Sequence, residues 1–275
     1  MLLDLPLQEI VLLVGSLLAG GFVLGIIAGL LGIGGGGILI PLLYELFRVL
    51  GVDDDIRMHL CVGTSLAVIL PTSLRSFYSH KAKGAVDMDI VRSFAPWVVS
   101  GVLLGILIAR FSNQYMLKGI WIVAAVIIAG KLFFGKESWR LGDVIPGNPF
   151  RMIYGFFIGV ISTIMSIGGG AFVTGLMTLY GRPIHQAVGT SSGFGPMIAI
   201  PGALGFIWAG WGVEGLPPGS LGYVNLLGAL IIAPVSVLTA PLGVALAHGI
   251  SRRKLELAFA GFLTLVALRF LVSLL

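Results

Sequence analysis

Residues 32–37 read Gly32-Ile33-Gly34-Gly35-Gly36-Gly37, set between the apolar runs Ile10–Leu31 and Ile38–Leu50. The first run is long enough to cross a hydrocarbon core of ~30 Å at ~1.5 Å per residue; the second is not. The letters fit a dinucleotide-binding loop, and Asp53 lies near the distance of a ribose-binding acid. That loop, however, follows a short strand, not a run of membrane length. The stretch reads instead as a helix broken by glycines inside a membrane. Lipid cannot satisfy the backbone groups freed there, so the break must line a cavity or be buried against protein.

Composition agrees with a membrane setting. Of 275 residues, 57% are apolar and only 11% charged, against roughly 25% charged in soluble proteins. So few charges cannot cover a soluble globule, and so many apolar side chains exclude intrinsic disorder. The net charge of +5 is spread over short stretches between apolar runs, with no basic cluster interleaved with aromatics, which excludes nucleic-acid binding. The single cysteine, Cys61, rules out an internal disulfide and a cysteine-based zinc site. The first residues carry Asp4 and Glu9 but no Lys or Arg, so no secretory leader is read there.

Working outward from the break, eight further apolar segments follow: Leu60–Phe77, Ile90–Ala109, Leu117–Phe134, Met152–Ser166, Ala171–Tyr180, Ala187–Trp208, Val224–Ala247 and Leu255–Leu275. Ala171–Tyr180 is short and, like Ile38–Leu50, follows a glycine cluster. The halves resemble each other. Ile33-Gly34-Gly35-Gly36 matches Ile167-Gly168-Gly169-Gly170, and His59-Leu60-Cys61-Val62-Gly63-Thr64-Ser65 matches His185-Gln186-Ala187-Val188-Gly189-Thr190-Ser191. Gly84-Ala85-Val86-Asp87 matches Gly222-Tyr223-Val224-Asn225. Matches in one order argue for duplication, giving repeats at 10–134 and 152–275 joined by a connection at 135–151.

Charge decides between two topologies. If all ten segments reverse direction, twelve of the 17 Lys and Arg fall on one face and five on the other. If each glycine cluster merely interrupts one crossing, the split is nearly even. The positive-inside tendency selects the first arrangement: an all-α polytopic membrane protein of two inverted five-segment repeats with glycine-broken helices, both termini outside.

A short helix starting at such a break offers unpaired N–H groups and the positive end of its dipole, which attract anions. Inverted repeats would aim two such ends at the midplane, a recurring transporter design. Candidate substrate-binding positions are therefore Gly34, Gly35, Gly36 and Gly37, with Gly168, Gly169 and Gly170. The bland alternative is that these glycines only allow close helix packing. Thr64 and Ser65, with Thr190, Ser191 and Ser192, supply uncharged hydroxyl donors; back-bonds to helical carbonyls are their alternative. His59 and His185 titrate near neutrality and are candidates for coupling or simply interfacial residues. Without carboxylate partners they make no metal site. Asp87 and Asn225 are expected to cap the next helix. No carboxylate or arginine lies centrally in any segment, which disfavours a proton or sodium relay. An inside-negative potential drives an exported anion without one. No Ser/His/Asp or paired-Asp constellation falls on facing segments, so no enzyme is read, and no cofactor.

The paired breaks, each followed by Val-Gly-Thr-Ser and then Gly-x-Val-Asp/Asn, resemble the sulfite exporter TauE/SafE family over about Gly25 to Arg269. The resemblance implies a polytopic permease of bacterial or archaeal inner membranes that moves sulfite, sulfoacetate and related organosulfur anions, mostly outward. It carries a motif role onto Gly34 to Gly37, Thr64, Ser65, Gly168 to Gly170, Thr190 and Ser191. The second copy continues with Ser192-Gly193 where the first has Leu66-Ala67, so the halves need not contact substrate alike. The expected function is export of a small anion by alternating access, with a cation-coupled importer of an organic acid as the alternative. The partners expected are the anion and membrane lipid, with a second copy of the chain left open.

Overall fold

The computed structural model describes residues 7–31, 36–135, 140–247 and 252–274. Among them the fold is helical: α1 (Leu7–Leu31), α2 (Gly36–Val49), α3 (Asp54–Ala82), α4 (Met88–Phe111), α5 (Gln114–Phe134), α6 (Phe150–Met165), α7 (Gly170–Leu179), α8 (Ile184–Ser192), α9 (Phe194–Ala209), α10 (Leu226–Ala247) and α11 (Arg252–Val272). The one hairpin, β1 (Ser220–Leu221) with β2 (Val224–Asn225), lies in the Gly/Pro-rich connection before α10. Five helical stretches are long and apolar enough to cross a membrane: Asp54–Ala82, Met88–Phe111, Gln114–Phe134, Ile184–Ala209 and Leu226–Gly243. Large apolar side chains such as Leu103, Leu204, Leu230 and Leu265 face outward, as expected of surfaces that meet lipid. The protein is a multi-pass membrane protein.

Two departures from the sequence reading have local causes. Helix α3 runs well beyond Leu60–Phe77 into its charged flanks, because the Asp53 carboxylate caps it by accepting from the Asp55 N–H. The single segment Ala187–Trp208 is two helices meeting at Gly193. There Ser191 and Ser192 turn their hydroxyls back onto the carbonyls of Val188 and Gly189, a bond that competes with straight helix. The first half has Leu66 and Ala67 where the second has Ser192 and Gly193, and α3 passes through unbroken.

Glycines let helices touch backbone to backbone. On α1, Gly21 faces Ile232 and Val235, and Gly25 faces Ser236 and Thr239, while Gly243 of α10 faces Ile26. Numbers rise together, so α1 and α10 run parallel. On α6, Gly155 faces Phe94, Gly159 faces Val98 and Gly101, and Gly105 of α4 faces Val160. Adding 134 to the α1 numbers and subtracting 138 from the α10 numbers turns the first set of contacts into the second.

These crossings tolerate no side chain. A Cβ on Gly159 would strike the Val98 carbonyl and lie 2.9 Å from Gly101 Cα and Val102 N, and backbone cannot step aside. Gly159→Val is expected to lose about 1–3 kcal/mol through overpacking. Gly119→Ala, with nothing within 4 Å, should be neutral or stabilising by up to ~1 kcal/mol. Thermal unfolding in detergent checks both; equal melting temperatures for the two variants would contradict the packing account.

Helices α6 and α7 form a hairpin rather than one interrupted crossing. The Phe150 and Tyr180 rings lie 6.2 Å apart, and Tyr154 Oη donates to the Phe172 carbonyl at 3.2 Å. The turn of this hairpin is the second glycine cluster.

Two ends of the bundle follow. One carries Asp54, Lys118, Arg110 stacked 3.9 Å over Trp208, and Arg269 paired with Glu45 at 2.9 Å. At the other, Arg253 donates to the Leu132 carbonyl at 2.7 Å, and Leu141 N–H donates to Leu179 O.

Candidate functional site

The α6–α7 turn is built by two left-handed residues. Ser166 has φ +52° and Gly169 φ +71°. A non-glycine residue in that region is held at a cost of about 1–2 kcal/mol. Gly169 caps α7 without a side chain, and its carbonyl accepts from Val173 N–H at 3.0 Å. Among the described residues none accepts from the amides of Gly170, Ala171 and Phe172. Three hydroxyls nearby in the chain or on the facing helix, Ser162, Ser166 and Ser65, are fully buried and have no hydrogen-bond partner among the described residues. Burying a hydroxyl unpaired is costly.

The turn sits midway along α3 and against the first turn of α9. A Cβ on Gly168 would lie 3.4 Å from Gly195 Cα and 3.8 Å from Ile69 Cγ2; one on Gly169 would lie 2.9 Å from Ile198 Cδ1 and 3.3 Å from Phe194 Cβ. Helix α2 reaches the same place, because a Cβ on Gly37 would lie 3.7 Å from Ile167 Cδ1, beside Phe259 and Leu263 of α11. The start of α2 and the α6–α7 turn therefore meet among apolar side chains. Two cavities are described, one of about 430 Å³ within Gly210–Gly222 and one of about 420 Å³ against α5. Neither reaches Gly37 or Gly168 to Gly170. Gly36 opens α2, while Gly34 and Gly35 lie outside the described residues.

The hydroxyl positions divide. Thr64 Oγ1 accepts from Asn225 N–H at 2.9 Å, and Thr190 Oγ1 accepts from Asp87 N–H at 2.9 Å. Ser191 Oγ accepts from Thr174 Oγ1 at 3.0 Å, joining α8 to α7. Ser192 only back-bonds within its helix. Ser65, whose counterpart opposite is apolar Ile40 in α2 rather than a threonine, keeps its hydroxyl unpaired. Asp87 and Asn225 do cap α4 and α10, accepting from Ile90 N–H at 3.2 Å and Gly228 N–H at 2.8 Å.

The histidines are not equivalent. His59 is buried, its Nε2 lies 2.9 Å and 3.1 Å from the carbonyls of Ala109 and Ser112, and its ring stacks on Tyr223 at 4.8 Å. Two carbonyl acceptors fix the proton on Nε2, so His59 caps the C-terminus of α4. Burial raises the Tyr223 phenol above its usual pKa, with Arg110 acting the other way. His185 is exposed.

Sequence reasoning missed one cluster. Lys118 read as part of a connection, yet its side chain is 0% exposed, with Nζ 3.8 Å from Asp54 Oδ2 and 5.0 Å from the Tyr44 ring centroid. Arg57 holds the other Asp54 oxygen at 2.5 Å, and Tyr44 Oη donates to it at 2.8 Å. Cys61 is buried in the same helix. The only signal in the sequence was a lysine four residues into an apolar helix beside a triple-aspartate corner.

The arrangement places hydrogen-bond donors without charge in a buried setting beside the α6–α7 turn. Residues 17–270 match the family model for the sulfite exporter TauE/SafE. The chain is 33% identical over 251 residues to a "probable membrane transporter protein" of Haemophilus influenzae, covering 90% of this chain and 94% of that one. It is 29% identical to one of Methanocaldococcus jannaschii, over 94% and 96%, and 32% identical to one of Bacillus subtilis, over 69% and 77%. No solved structure matches. With the family model matched over residues 17–270 and relatives of this kind along nearly its whole length, the chain belongs to the TauE/SafE family and is a membrane transporter, not an enzyme.

Proposed function

We propose that the protein exports a small anion, sulfite or an organosulfonate such as sulfoacetate, by alternating access. The observation that carries this is the α7 N-terminus: three unsatisfied amides and the positive end of a helix dipole, with the buried, unpaired hydroxyls of Ser162, Ser166 and Ser65. The anion is held beside Gly168 to Gly170 by the free amides that open α7, those of Gly170, Ala171 and Phe172, and by Gly34 to Gly37, with Ser65 and Ser191 adding hydroxyls. Donors without charge bind at many weak points, which suits release as well as capture. Two inverted repeats, 10–134 and 152–275, rock about this centre. The matching α1–α10 and α4–α6 contacts support that reading. The face with twelve Lys and Arg is cytoplasmic, in a bacterial or archaeal inner membrane, with both termini outside.

Purified protein in liposomes should release sulfite or sulfoacetate down an inside-negative potential at least ~10-fold faster than chloride. No flux of any anion under any gradient would end this proposal. The pairing of buried Lys118 with half-exposed Asp54 favours a second reading, a cation-coupled importer of an organic acid; there, flux would require an imposed proton or sodium gradient.

A further inference from the structure

Among the described residues, the threonines of the two Val-Gly-Thr-Ser copies differ from the rest in accepting from a backbone N–H across the molecule, whereas Thr239 donates to the Phe22 carbonyl and Thr174 to Ser191. Thr72, Thr163, Thr178 and Thr264 bond back to carbonyls of their own helices. Thr64 and Thr190 instead accept across the molecule, each from the backbone N–H that leads into a helix of the other half. The glycine just before each threonine completes the contact. Any Cβ on Gly63 would strike the Tyr223 carbonyl oxygen, and any on Gly189 would strike that of Ala85. Residues 63 and 64 correspond to 189 and 190, and 85 and 87 to 223 and 225, by the repeat spacings. One device is thus built twice: a bare glycine lets a loop backbone press on the helix, and the next hydroxyl pins it.

The two devices lie on opposite sides of the glycine breaks. Along α3, Thr64 stands on the Asp54 side of Ile69, which touches Gly168; Ser73, on the far side, touches Gly195. Thr190 stands in α8 at the end where Ala85 and Asp87 enter α4. Both contacts are closed, and the α6–α7 turn between them lies against Ile69, Phe194 and Ile198.

We infer that Gly63-Thr64 and Gly189-Thr190 are the two gates of the transport path, the first closing it toward the Gly210–Gly222 face and the second toward the opposite face. This rests on the central site proposed above. One hydrogen bond between helices in lipid is a weak restraint, so a gate of this kind opens in each cycle without unfolding a helix. Thr64 and Thr190 act as positioning residues; Ser65 and the turn amides are left to meet the anion.

The native Cys61, buried three residues before Thr64, reports the first gate. Its repeat counterpart Ala187, equally buried, reports the second when replaced as Ala187→Cys in a Cys61→Ala background. Labelling by a small membrane-impermeant maleimide is followed in vesicles of each orientation. Wild-type Cys61 should label slowly from both faces. Thr64→Val should speed its labelling at least ~10-fold from the Gly210–Gly222 face only, and Gly63→Ala should do the same. Thr190→Val should speed labelling at position 187 from the opposite face only. Thr64→Ser and Thr190→Ser keep the acceptor oxygen and should label like wild type. Unchanged rates in the valine variants, opening of both probes from one face, or serine variants behaving like valine would overturn the assignment. So would failure of both Thr64→Val and Gly63→Ala to fold, which would make the contact a permanent staple. Labelling needs no substrate, so a wild-type protein without anion flux refutes the central site while leaving the gate result readable.

Discussion

Gly169→Leu should lower anion flux at least ~100-fold while the protein still reaches the membrane. Gly169 sits at φ +71° in the turn between α6 and α7, where a side chain of L configuration costs about 1–2 kcal/mol. Its Cβ would also lie 2.9 Å from Ile198 Cδ1 and 3.3 Å from Phe194 Cβ, and the rest of a leucine must force those side chains apart at about 1–3 kcal/mol. Together these amount to about 3 kcal/mol, which corresponds to ~100-fold if it falls on the conformations that carry the anion. The strain acts where α7 starts, so it re-aims the free amides of Gly170, Ala171 and Phe172. Gly169→Ala carries the backbone strain with little of the steric load and should retain measurable flux. Liposome flux separates the two variants, and wild-type flux in Gly169→Leu would remove the turn from the transport path.

The second large effect is an asymmetry at the Asp54 end. Removing Asp54 leaves Lys118, 0% exposed, and Arg57, 11% exposed, without their carboxylate. Leaving a buried charge unpaired costs about 3–5 kcal/mol. Asp54 itself is 47% exposed, so water screens part of the pair and about 2–3 kcal/mol is expected. Replacing the other partner behaves differently. Lys118→Met keeps the length of the side chain, removes the buried charge, and should be within about 1 kcal/mol of wild type. Arg57 continues to satisfy Asp54 through Nη1, while its Nη2 holds the Val52 carbonyl at 2.6 Å. The double variant Asp54→Ala with Lys118→Met should recover part of the loss. Thermal unfolding in detergent reads this as a drop of several degrees for Asp54→Ala alone. Equal destabilisation by Asp54→Ala and Lys118→Met would show that packing, not unpaired charge, governs this corner. Proton-gradient dependence of flux in Lys118→Met would further separate export down a potential from cation-coupled uptake.

The second glycine cluster marked the α6–α7 turn before any coordinates, because few other residues allow a positive φ and a close backbone approach in lipid. The charge-flanked runs marked the helices, since length and apolarity suffice to name a membrane span. The chemistry of individual hydroxyls was less legible. Thr64 and Ser65 are neighbours in one motif, yet one is pinned by Asn225 and the other has no partner among the described residues. Adjacent helical residues point about 100° apart, and only the packing of the other half decides what each one meets. His59 and His185 share a motif position in the same way, but one is buried under Tyr223 and the other exposed. Lys118 and Asp54 are 64 residues apart and could not be paired by spacing.

What the sequence determined by itself is the membrane and the helices, because hydropathy is a property of the chain read in order. What the tertiary structure alone decided is which groups meet: Gly37 brought up to Ile167, the threonines reaching across to loop amides, and a lysine enclosed against an aspartate. Hydrogen bonds and ion pairs act over a few ångströms between residues tens to hundreds of positions apart, and that proximity exists only once the helices have packed.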